Sequence, residues 1–123
     1  MYTREVSISW PILDVVFFQS QMGRCPVREW LKDLPKADRH EIGVNIQEVQ
    51  YRWPLGMPRV RKLAPHLWEV RSHLADGIGR TLFTVDEGLM VLLHGFIKKS
   101  QKTPGNELST ALQRFKMYQG EPS

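Results

Sequence analysis

Cationic side chains recur through the second half of this sequence in a pattern suited to phosphate chemistry. Arg71, Arg80 and His94 stand in three successive apolar segments, and Lys98, Lys99 and Lys102 follow closely. No acid lies between Glu87 and Glu107. Arginine can hold a phosphate bidentately and stabilise the charge added in a pentacovalent transition state. A histidine, or a lysine with a lowered pKa, could move protons to and from a 2′-hydroxyl and a leaving 5′-oxygen. Cleavage of a phosphodiester without a metal needs no more than this.

Such chemistry requires the cations to share a surface, and strands are what would align them. Leu67–His73, Ile78–Val85 and Leu89–Lys98 read as strands, with turns at Ala75-Asp76-Gly77 and Asp86-Glu87-Gly88. Alternation puts Glu69, Arg71 and His73 on one face and Trp68 and Val70 on the other. Pairing His73 with Ile78 sets Arg71 opposite Arg80, and pairing Val85 with Leu89 sets Arg80 opposite His94. The expected result is a row Arg71–Arg80–His94, with Lys98 further along the same face. Val70, Phe83, Val85, Val91 and Leu93 would then form an apolar face for helices to cover. A slip of one residue would exchange the faces.

Each of these residues also has a plainer reading. Two arginines directly opposed repel, unless Glu69 neutralises one of them in an ordinary ion-pair ladder. A lone histidine in an apolar strand is more often a hydrogen-bonded structural residue than an acid or base. Lys98 and Lys99 could be the solvated end of a strand. His40, His66 and His73 have no partner that the sequence identifies and read as incidental. Cys25 lacks the partners of a cysteine nucleophile, and Gly77 and Gly79 do not make a dinucleotide fingerprint.

The remaining elements must position that sheet. Ile12–Phe18 reads as a first strand, broken by Gly23. Pro26 opens a helix carrying Val27, Trp30, Leu31 and Leu34, which Pro35 ends. A longer amphipathic helix spans Lys36 to Trp53, with Ile42, Ile46, Val49 and Trp53 as its apolar stripe. Trp30 and Trp53 read as core packing. After a loop with Pro54, Gly56 and Pro58, a short strand around Val60–Leu63 is expected. Thr103 and Pro104 look like a helix start, hydroxyl cap then proline, and the last helix covers 105–119. The order is β-α-α-β-β-β-α with an optional extra strand, an α+β domain in which Leu89–Lys98, the most apolar strand, is expected at the centre.

Composition bounds the rest. The 123 residues are 41% apolar and 24% charged, which suits a single globular domain over 1–123. No apolar run approaches a membrane helix, and residues 1–10 form an extension without the apolar core of a signal peptide. One cysteine and no zinc-like spacing point to no disulfide, metal or cofactor, with the cytoplasm as the default location. The net charge of +4 is unevenly placed: residues 52–104 carry nine Lys/Arg against four Asp/Glu, while 1–51 carry six against seven. Localised excess charge favours a polyanion-binding surface over a merely solvated one.

Several stretches together resemble the phage-derived, HigB-like branch of the RelE/ParE toxin superfamily. They are Gly23-Arg24-Cys25-Pro26-Val27-Arg28-Glu29-Trp30-Leu31, Lys62-Leu63, Leu67-Trp68-Glu69-Val70-Arg71 and Gly77-Ile78-Gly79-Arg80. The specific part is His94-Gly95-Phe96-Ile97-Lys98-Lys99 leading to Gln101-Lys102-Thr103-Pro104. The resemblance implies a RelE-like β-α-α-β-β-β fold with the last helix as an appendage. It implies an mRNA endoribonuclease, commonly acting on the ribosome, silenced by a HigA-like antitoxin with a helix-turn-helix domain. Carried onto this sequence, Arg71 and Arg80 take the phosphate and transition-state role, with His94 and Lys98 as candidates for proton transfer. Arg61, Lys62, Lys99 and Lys102 would contact the RNA backbone. Inhibition of DNA gyrase, as in ParE relatives, and an inactive RNA-binding module are the alternatives.

Overall fold

The computed structural model describes residues 10–99 and 102–120. Strand β1 (Asp14–Phe17) leads to helices α1 (Pro26–Lys32) and α2 (Lys36–Arg52). Strands β2 (Val60–Ala64), β3 (Leu67–Leu74), β4 (Gly77–Asp86) and β5 (Leu89–Lys98) follow, and α3 (Gly105–Tyr118) closes the chain. The sheet order is β1-β5-β4-β3-β2, antiparallel except where β1 runs parallel to β5. The α+β class and the element order therefore stand as expected, and the optional strand exists. Of the segment 1–10, all but Trp10 lies outside the described residues, as do Ser100 and Gln101.

Helices cover both faces of the sheet. On one side, Ile42, Ile46 and Val49 of α2 and Val27 of α1 pack with Val60, Val70, Phe83, Met90 and Leu92. Asn45, on the same stripe of α2, is buried and donates to Ser72 Oγ at 2.8 Å, so its amide does not enter the core unsatisfied. Trp53 meets Trp68 edge-on at 5.0 Å between ring centroids. Trp30 lies over Gly95, where an added Cβ would fall 2.2 Å from its ring. Only glycine lets that helix approach so closely.

The opposite face is covered by α3 through Ala111, Leu108, Leu112 and Phe115, against Leu67, Leu82, Val91, Leu93, Phe96 and Phe18. This helix is thus a third layer of the core, with a role larger than an appendage.

The two hairpins depart unequally from expectation. In the first, Arg71 does pair with Arg80 and His73 with Ile78. In the second, Glu87 and Gly88 form a two-residue turn with φ of 46° and 84°, which pairs Asp86 with Leu89 and Val85 with Met90. The register then shifts again between Leu82 and Phe83, leaving Leu93 as an extra residue on β5. Three expectations change as a result. Arg80 faces Phe96, His94 faces Leu82, and Val91 and Leu93 sit under α3 instead of under α1 and α2. The central strand is β4, since β1 docks outside β5.

Candidate functional site

Arg61 of β2 pairs with Glu69 of β3, and Arg71 pairs with Arg80 of β4, so all four side chains share the α3 face of the sheet. They collect near the end of the sheet from which the chain leaves β5 toward α3. Glu69 and Arg80 are fully buried and Arg71 is 9% exposed. Glu69 and Arg80 stand 3.8 Å apart, too far for a direct hydrogen bond. The Thr103 hydroxyl bridges them, donating to Glu69 Oε1 at 2.7 Å and accepting from Arg80 Nη1 at 3.4 Å. Thr103 is therefore spent on the ion pair, and the N-terminus of α3 has no side-chain cap.

Burial pushes the Arg80 guanidinium below its usual pKa, Glu69 acts the other way, and Arg71 and Arg61 lower it further. Arginine remains charged through such shifts. The repulsion expected from opposed arginines is thus present, and so is the neutralising acid of the plainer reading. Arg80 has no solvent-exposed surface. Its place is behind Arg71, as a fixed positive charge.

His94 is placed differently from either of its expected neighbours. Its Nε2 meets Glu107 Oε1 at 2.5 Å, and its Nδ1 meets Arg114 Nη1 at 3.1 Å. A guanidinium can only donate, so Nδ1 accepts and the proton sits on Nε2, facing the carboxylate. Arg114 also donates to Leu93 O at 2.9 Å. Both ring nitrogens are occupied by α3, and the ring stacks on Phe96 at 5.7 Å. His94 clamps the third layer to the sheet. Glu107 and Arg114 are seven residues apart, two turns of one helix face, and that spacing was available in the sequence.

The lysines divide. Lys98 lies on the same face as Arg71 and Arg80, opposite Ile78, and is exposed. Lys99 and Lys102 are exposed near the same end of the sheet. Lys62 pairs with Trp68 on the α2 face and holds its Nζ 5.8 Å above that ring, away from the arginine cluster. Arg61 is half-buried beside Glu69. Among the described residues, no cluster of three or more His, Cys, Asp or Glu could hold a metal ion, and no helix is long and apolar enough to cross a membrane.

The arrangement is a cationic strand end: guanidinium groups held from behind by a buried carboxylate, with exposed ammonium groups at the rim. It can attract a polyanion and stabilise charge that develops on it. Comparison with protein families gives a match over residues 29–116 to the family described as Phage derived protein Gp49-like (DUF891). That span runs from within α1 to within α3 and includes the whole cluster. No curated protein matches the chain.

Proposed function

Because the chain belongs to the phage-derived Gp49-like family, a RelE/HigB-like family of toxins from toxin–antitoxin systems, we propose that it stops translation by cutting mRNA. The single observation that carries this reading is the gathering of Arg61, Arg71 and Arg80 on one sheet face, with Lys98, Lys99 and Lys102 at its open end. In the proposed reaction the 2′-hydroxyl loses its proton and attacks the adjacent phosphorus. A 2′-O–P bond forms as the P–O5′ bond breaks, and the 5′-oxygen takes up a proton. The products are a 2′,3′-cyclic phosphate and a 5′-hydroxyl.

Arg71, with the more exposed Arg61 on the same face and Arg80 behind it, supplies positive charge where the non-bridging oxygens gain it. Lys99 and Lys102 hold neighbouring backbone phosphates. Lys98, on the same face as Arg71, donates the proton. The ribosome presents the message, a HigA-like helix-turn-helix antitoxin silences the toxin, and the site of action is the cytoplasm.

Purified protein incubated with mRNA, in a metal chelator when alone and in magnesium buffer when ribosomes are present, should yield fragments carrying these end groups. Intact RNA in both settings would overturn the reading. In the same assay, His94→Ala removes the clamp on α3 and should cost about 1–3 kcal/mol of stability. Cleavage per folded molecule should be unchanged, because His94 takes no part in proton transfer. A large loss of rate in folded His94→Ala would contradict that placement.

A further inference from the structure

With His94 occupied, the reaction above still needs an acceptor for the 2′-hydroxyl proton. Lysines and arginines are poor acceptors at neutral pH because they are already protonated. The cross-strand register supplies an imidazole elsewhere. His73 pairs with Ile78, and Ile78 pairs with Lys98, so the three form one row across β3, β4 and β5. The row lies on the same face as Arg71, two residues nearer the strand ends than the row Arg71–Arg80–Phe96. His73 and Lys98 are both exposed, and Ile78 between them is 8% exposed. Two strand spacings separate the outer residues by roughly 10 Å at the backbone. That gap, floored by an apolar side chain, admits a phosphodiester between an imidazole and an ammonium.

We propose that His73 is the general base of this toxin and Lys98 its general acid, flanking the scissile phosphate across Ile78 with Arg71 beside them. This rests on the ribonuclease reading and deepens it. In-line transfer at phosphorus puts the attacking and leaving oxygens on opposite sides, which calls for proton acceptor and donor on opposite sides too. His73 takes the proton from the 2′-hydroxyl, and Lys98 gives one to the departing 5′-oxygen. The charged neighbours that the register gives His73 are Arg71 on its own strand and Lys98 across the row, with Asp76 in the adjoining turn.

The test is single-turnover cleavage of an RNA oligonucleotide by the full chain and by the His73→Ala and Lys98→Met variants. Both residues are exposed, so unchanged thermal unfolding should accompany either change. His73→Ala should slow cleavage by roughly 100-fold or more and leave RNA affinity unaltered. Added imidazole should restore part of the rate. A substrate with sulfur at the bridging 5′ position releases a thiolate that needs no proton, so it should rescue Lys98→Met and not His73→Ala. A His73→Ala protein that cleaves at the wild-type rate overturns the proposal while the ribonuclease reading survives. If the wild-type chain fails to cleave, both fall.

Discussion

Replacing Glu69 by alanine is expected to destabilise the fold by about 3–5 kcal/mol, a large share of the stability of a domain this size. Glu69 and Arg80 are both fully buried, and removing the acid takes from the buried Arg80 guanidinium the carboxylate that faces it. Arg71 and Arg61 would worsen its position, since both already lower its pKa. Thr103 would also lose the acceptor that its hydroxyl reaches at 2.7 Å, loosening the entry to α3. Chemical denaturation of Glu69→Ala beside the double variant Glu69→Ala/Arg80→Met would measure this. The double variant should recover much of the loss, because a well-packed apolar pair can replace a buried ion pair at little cost. A single variant as stable as wild type would show that the pair does not hold this end of the sheet.

Arg71→Ala should have the opposite signature. It removes a nearly buried arginine paired directly with Arg80 across β3 and β4; relief of the like-charge repulsion offsets part of the packing lost, so stability should fall by no more than about 1–2 kcal/mol. Cleavage should nevertheless fall by about 10²–10³-fold, the usual consequence of losing one preorganised donor to transition-state charge. Few structural residues combine so small a loss of stability with so large a loss of activity. Measuring both on the same preparation separates the functional role from the architectural one. An Arg71→Ala protein that unfolds more easily but cleaves normally per folded molecule would place Arg71 with Glu69 and Arg80 as part of the frame.

The first hairpin was legible because its turn signal and its alternation agreed. Ala75-Asp76-Gly77 set the register that places Arg71 against Arg80. The second hairpin was harder to read for two local reasons. Its loop holds only Glu87 and Gly88, both at positive φ, which moves the pairing by one residue. The extra residue Leu93 then moves it by another. A run as apolar as Leu89 to Leu93 reads equally well in either phase, since both faces of β5 are buried. His94 inherited that ambiguity, and its true partners came from α3, more than ten residues downstream. Burial itself was the other missing quantity. Alternation can put Glu69, Arg71 and Arg80 on one face, but only the packing of α3 shows how deep that face lies. The same depth raises His73, read at first as incidental, to the exposed imidazole of the row that ends in Lys98.

The central claim, that this Gp49-like toxin cuts mRNA through its cationic strand end, is tested most directly by mapping mRNA 5′ ends in cells after induction. Wild-type protein should generate new 5′-hydroxyl ends within coding sequences as growth stops, and Arg71→Ala at equal abundance should generate few or none. Growth arrest by the wild-type chain with no new mRNA ends, accompanied by DNA-damage signalling, would contradict the account and point to gyrase as the target.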